Sequence, residues 1–424
     1  MSNLIRHLKN KELFLALYFL TFILGVSLGV SYNFYNEARV LEVLLLLGFG
    51  FYSVFSKEIF FSKKEYLFLV VFISYLFFLK NSQFIIFDIL LFYLLYKSFF
   101  ILNYNLVVSK IIVLSSFLIF MTFPLSLLGY WGDGVYRNWY PMPWNIRVYN
   151  SYFLILLIFS TWLLMRGNRY TWVYLLFTYL SLLSILLDGG RSALLAYSTF
   201  FIIVIIFNKK VRLKLIFIYI ISWLSFLLIV FSAGIASDGI SIARVTTSRR
   251  SDLWVHALQC WIESPIFGCG FYQLGAYENL SAHPHNLFIQ ILTETGVMGF
   301  SFLALIIFGV LRNISWNIKE NYFVIAAFFA IGVDLSFSGI HIYPITQVGL
   351  LWLFVFLLKN PEFRHAKYFS DILVQNPKSV WVVNFIIYLI ITCAFIYLFV
   401  NTSALSESLA VTPPRFWEYG YQLF

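Results

Sequence analysis

The sequence predicts an all-α polytopic membrane protein, and three observations predict it. The chain of 424 residues is 61% hydrophobic and only 11% charged, with a mean hydropathy of +0.85; a soluble domain carries about 25% charged residues. Apolar runs of about 20 residues, the length a helix needs to cross a bilayer, recur from end to end. Aromatic residues make up 21%, and many of the 12 Trp and 28 Tyr fall at the ends of those runs, where amphipathic rings anchor at headgroup depth.

The net charge of +10 does not indicate a nucleic-acid partner, because the basic residues punctuate the apolar runs instead of forming one patch. Taken in order, the runs lie near 13–31, 40–56, 66–79, 83–102, 111–129, 150–165, 171–187, 192–208, 215–233, 286–311, 322–340, 345–358 and 380–400. Arg6, Lys9 and Lys11 precede the first run, and no small-residue cleavage site follows it. It is therefore expected to be an uncleaved first span with the N-terminus inside. Alternation then leaves Arg39, Lys80, Arg137, Arg147, Arg191, Arg244, Arg249, Arg250 and Arg415 outside and the other 20 of the 29 Lys and Arg inside, a positive-inside bias. The outer set is almost all arginine, whose planar fork suits phosphate, although arginine also snorkels well at an interface.

The expected organisation is an N-terminal transmembrane bundle (1–233), a large outer loop with short interfacial helices (234–285), C-terminal transmembrane helices (286–400) and an outer tail (401–424), with about 12 to 13 spans in all. In the run 83–102, Lys97 falls near the inner end and Asp88 near the outer end, where water reaches it. The connector Gly129–Asn150 is broken by Gly and Pro; its Trp131, Trp139 and Trp144 suit an interfacial anchor, and Arg137 and Arg147 can join a phosphate site. Asp188-Gly189-Gly190-Arg191-Ser192 makes a tight outer turn in which glycine permits close approach of a ligand and Arg191 is fixed at the membrane edge.

The outer loop concentrates the polar chemistry. Arg244 precedes RRSDLWVHALQCW, in which Leu253, Trp254, Ala257, Leu258 and Trp261 recur at helical spacing, a short helix for the interface. Arg249 and Arg250 open it, so arginines and free backbone N–H groups converge as an anion site. His256 is read as a polar-face residue. Glu263 to Phe271 reads as a structural turn. Cys260 and Cys269 either pair, if the loop faces an oxidising side, or act as small apolar fillers, the reading preferred here. His283 and His285 stand at the mouth of the next apolar helix, which Asn286 can cap. An imidazole there can take a proton from a hydroxyl near neutral pH. His341, in a later outer turn, is a secondary candidate. No metal-ligand spacing is present, and no metal or cofactor is expected.

The GGRS turn, the R-S-D-L-W…PIFGCGF segment and HPHNLFIQILTETGVMGF together resemble the O-antigen ligase and polymerase family of bacterial inner-membrane glycosyltransferases. The resemblance rests on Arg250 with Trp254, and on His285-Asn286 followed by Glu294 and Gly296, over roughly Asp188 to Phe300. It implies a glycan donor on undecaprenyl diphosphate, a multi-pass protein of the bacterial inner membrane and a periplasmic site. It also implies that Arg191, Arg250 and His285 are catalytic. Arg249, His283, Asn286, Arg244 and Arg137 complete the expected substrate-binding set. The acceptor is expected to be lipid A–core, which would make the chain an O-antigen ligase. The alternatives are a protein hydroxyl, as in an O-oligosaccharyltransferase acting on a pilin, and a growing glycan, as in a polymerase. A lipid-linked glycan transporter is the reading from another class; it calls for charges through the midplane and an internal repeat, neither of which is evident.

Overall fold

The computed structural model of the protein describes residues 10–28, 35–56, 63–80, 82–102, 106–133, 146–167, 170–232, 250–271, 273–276, 283–363 and 378–401. Every regular element among them is a helix: α1 (Asn10–Leu28), α2 (Tyr35–Ser56), α3 (Lys63–Leu76), α4 (Gln83–Leu102), α5 (Leu106–Ser115), α6 (Phe123–Asp133), α7 (Ile146–Arg166), α8 (Thr171–Leu187), α9 (Arg191–Phe207), α10 (Lys209–Ser232), α11 (Arg250–Glu263), α12 (Leu287–Arg312), α13 (Ile318–Phe337), α14 (Pro344–Lys359) and α15 (Lys378–Asn401), with 3-10 turns at Ser116–Phe120 and Gln273–Ala276. The chain is an all-α membrane protein. Five helical stretches are long and apolar enough to cross a bilayer, namely Leu106–Gly129, Val148–Arg166, Lys209–Ser232, Leu287–Arg312 and Ile318–Phe337; others are shorter apolar helices. Among the described residues each run read from the sequence falls mainly on helix, with 66–79 and 322–340 running past the ends of α3 and α13. The run 111–129 is interrupted at the Ser116–Phe120 turn.

The helices form two compact units, each assembled from three separated stretches. The first takes Met1–Phe34, Asn105–Val245 and Trp316–His341. Its centre is α7, 94% buried over Val148–Arg166, with α5, α8 and α9 against it. The α9–α13 pair is its most extensive packing, with Phe200 edge-on to Phe323 at 5.4 Å. Large apolar side chains such as Leu213, Phe217 and Phe231 point outward from α10, as lipid-facing residues do.

The second unit takes Tyr35–Tyr104, Thr246–Ser315 and Ile342–Phe424. Here α2, α4 and α14 pack together, with α15 against α2 and α4. Their N-terminal turns hold a buried ionic cluster. Arg39, 1% exposed, donates to Glu42 Oε2 at 3.0 Å, to Gln347 Oε1 at 2.7 Å and to Asp88 Oδ1 at 2.7 Å. This corrects one expectation: Arg39, read as an outer-surface charge, is a core residue, while Asp88, partly exposed, is also held by its guanidinium. In a low-dielectric interior each of these charges depends on the others.

Candidate functional site

The site is built in the second unit by α11 and the first turns of α12. Leu253 and Ala257 of α11 pack with Leu274, and Trp254 and Ile289 close over them. The contacts along the pair fall in sequence order: Trp254 Nε1 donates to Pro284 O at 2.8 Å, Thr293 Oγ1 to Ala257 O at 3.2 Å, and Val297 N to Pro265 O at 2.9 Å. The two helices therefore run parallel, and their N-termini lie at one end. Arg250 is the first residue of α11, and His285 stands two residues before the first of α12. Two sets of N-terminal amides, an arginine and an imidazole thus share the end of the pair, an arrangement that favours an anion.

At that end the His283 and His285 rings are 4.2 Å apart, centroid to centroid, at 64°. His283 is buried and His285 half-buried, so His285 is the outer member. The backbone of His285 is left-handed, with φ 53°, and it is the one non-glycine residue so placed among those described. Such a conformation costs about 1–3 kcal/mol and persists where the surroundings impose it. Asn286 caps α12: its side-chain oxygen accepts from Phe288 N at 2.9 Å and Ile289 N at 3.0 Å. That oxygen is spent on the cap, which leaves the amide nitrogen for the substrate contact expected of Asn286.

The apolar run read as one continuous span at 286–311 is in fact broken. Gly296 has φ 62° and ψ −167°, and the helix kinks there. The segment Pro265–Gly270 is spliced into the break. Cys269 N donates to Thr293 O (2.9 Å) and Gly270 N to Glu294 O (3.2 Å), while Val297 N and Met298 N donate to Pro265 O and Ile266 O. The Tyr75 hydroxyl takes the Thr295 carbonyl. These backbone groups at the kink thus find partners, as an apolar setting demands. The two backbones approach so closely that a Cβ on Gly268 would stand 2.5 Å from Thr293 O, and one on Gly296 2.6 Å from Gly268 N. A Cys260–Cys269 disulfide ties the end of α11 to this splice, so the cysteines are paired and are not fillers. The structural reading of Glu263–Phe271 holds, and its purpose is now visible.

The exposed side of α11 carries Val255, Leu258 and Ile262 on one face, with Asp252, His256, Gln259 and Glu263 beside it. One apolar face is packed and a second is bare, the pattern of a helix at a lipid surface.

In the first unit, Arg191 is the exposed first residue of α9. Gly189 turns the chain at φ 64°. Gly190 is required for another reason: a Cβ there would stand 2.7 Å from Asn150 Nδ2. The close approach expected at the glycines was that of a ligand; at Gly190 the close neighbour is this buried amide instead. Nearby in sequence, Ser151 donates to Asp334 Oδ2 at 3.0 Å and Ser338 to the same oxygen at 2.6 Å. Asp334 is fully buried, and the sequence reading passed over it although an acid inside an apolar run was the signal. Arg137, Arg244 and Arg249 lie outside the described residues. Among the described residues no three His, Cys, Asp or Glu side chains gather as a metal site.

Residues 176–304 match the family described as O-antigen ligase. The match covers less than a third of the chain. The matched segment opens within α8, contains Arg191, Arg250, Trp254, His285, Asn286, Gly268 and Gly296 of the splice and the disulfide, and closes within α12. Arg137 and the Arg39 cluster fall outside it. No curated protein matches the chain.

Proposed function

We propose that the chain transfers a glycan from a lipid-diphosphate donor, undecaprenyl diphosphate, to an acceptor hydroxyl at the outer face of the bacterial inner membrane. One observation carries this reading: within the O-antigen ligase segment, Arg250 and His285 stand at the adjacent N-termini of two parallel helices. In the reaction the acceptor oxygen bonds to the anomeric carbon as the bond from that carbon to the diphosphate oxygen breaks. His285 takes the hydroxyl proton. The negative charge growing on the departing diphosphate is met by Arg250 and the helix N-termini. Arginine does here what a divalent cation does elsewhere, so turnover is expected to persist in EDTA. A periplasmic site is supported by the disulfide, which needs an oxidising compartment, and by the excess of Lys and Arg on the other side. Lipid A–core is the preferred acceptor, ahead of a protein hydroxyl and a growing glycan.

The test is product mass after incubating purified protein with lipid-linked oligosaccharide and lipid A–core, a pilin-like protein, or no second acceptor. Glycan on lipid A–core supports ligation; glycan on protein, or longer lipid-linked chains alone, reassigns the acceptor. Arg250→Ala and His285→Ala are each expected to lower turnover by about 100-fold or more. Absence of transfer under all conditions, with lipid moved across the bilayer, would replace the enzyme by a transporter.

A further inference from the structure

We propose that Trp254 is a positioning residue for His285, holding through its indole N–H the peptide plane from which the His285 ring is set. The inference rests on the reading of His285 as the proton acceptor. Trp254 is itself fixed by packing, since its indole lies on the Leu253–Ala257–Leu274 core beside Ile289. Its Nε1 donates to the Pro284 carbonyl at 2.8 Å. That carbonyl belongs to the peptide bond joining Pro284 to His285, so the bond fixes the plane about which φ of His285 turns. Proline cannot donate a backbone N–H, and its carbonyl is therefore the one backbone hydrogen-bonding group of residue 284.

On the other side of His285, Asn286 is fixed by its two bonds into the first turn of α12. The chain is thus held immediately before and immediately after a residue whose φ is 53°. A left-handed histidine does not keep that conformation by local preference, because the steric contact of its Cβ opposes it. The two anchors impose it, and with it the direction in which the imidazole leaves the backbone. The 4.2 Å contact with His283, on the far side of Pro284, is set by the same plane. Without the indole bond the Pro284–His285 peptide loses a contact that fixes its plane, and the ring shifts from its working position while α11 and α12 stay packed.

The experiment compares wild type with Trp254→Phe, which keeps an aromatic ring on the core and removes the N–H. A second variant carries benzothienylalanine at position 254, which keeps the bicyclic shape and also lacks the N–H, so that a packing defect in Trp254→Phe leaves the question answerable. Two readouts are taken. In steady-state transfer, kcat is expected to fall about 10- to 100-fold, as misplacement of a catalytic group does, with KM for the lipid-linked donor within about two-fold. In carbethoxylation with diethyl pyrocarbonate, followed by peptide mass, the rate at His285 is expected to change at least about three-fold while that at His256, on α11 itself, stays constant. An unchanged kcat together with an unchanged His285 rate in both variants overturns the proposal, and so does a loss confined to KM. If wild type transfers no glycan but the His285 rate still shifts, the positioning role stands and the glycosyl-transfer reading fails.

Discussion

Arg39 shows what a single residue decides in this chain. Its guanidinium joins two carboxylates and an amide from α2, α4 and α14 in a setting where it is 1% exposed. Removing one partner of a buried ion group leaves the others uncompensated, at a cost of about 3–5 kcal/mol. Arg39→Ala is therefore expected to lower unfolding stability in detergent by that order, measured by chemical denaturation. A substitution within ±0.5 kcal/mol of wild type would mean that the cluster holds nothing together. The sequence supplied Arg39 and Asp88 as charges near run ends, but the residues that meet are 49 and 308 positions apart. No local pattern encodes such a pairing. His285 is the opposite case: HPHN marks it as a candidate, while its left-handed backbone and its anchors were not legible there.

At the scale of the element, α12 is the informative one. Hydropathy reads it as one span because hydropathy sums side chains and is blind to a backbone kink. The kink is tolerated because Pro265–Gly270 satisfies the broken ladder, and that segment fits because neither Gly268 nor Gly296 carries a Cβ. Gly296→Ala places a methyl group against Gly268 N and imposes a positive φ on alanine, so a loss of more than about 1 kcal/mol is expected. Gly268→Ala is expected to behave alike, since the two positions face one another. The measurement is the thermal midpoint of the purified protein, with Gly309→Ala as a control at a site where a Cβ meets nothing within 4 Å. Equal midpoints for all three variants would remove the splice from the account. The glycines and the proline of this stretch were visible as turn residues; that they mend a helix 26 or more residues later was not.

At the scale of the whole molecule, the expected orientation rests on charge asymmetry, while packing divides the chain in a way the sequence order does not show. Both units draw on early, middle and late stretches. Orientation is a matter of which connectors resist translocation, and it is tested by labelling. In a Cys393→Ser background, which removes the exposed free thiol, a cysteine at Ser251 is expected to react with an impermeant maleimide in spheroplasts, and one at Lys210 only after lysis. The reverse pattern would place the candidate site in the cytoplasm and end the periplasmic reading.

The sequence by itself determined the class, the helical runs, the charge asymmetry and the residue types of the candidate site. Each of these depends on composition or spacing within about 20 residues, the scale on which a helix satisfies its own backbone and meets the bilayer. Only the tertiary structure decided that Arg39 is buried, that Cys260 and Cys269 are joined, that α12 is broken and spliced, and that Trp254 holds the turn carrying His285. Apart from the disulfide, whose cysteines are 9 residues apart, these rest on hydrogen bonds and ion pairs between distant residues. They form where water is excluded and every polar group needs a partner, and the partner is chosen by which backbones the packing of helices brings together.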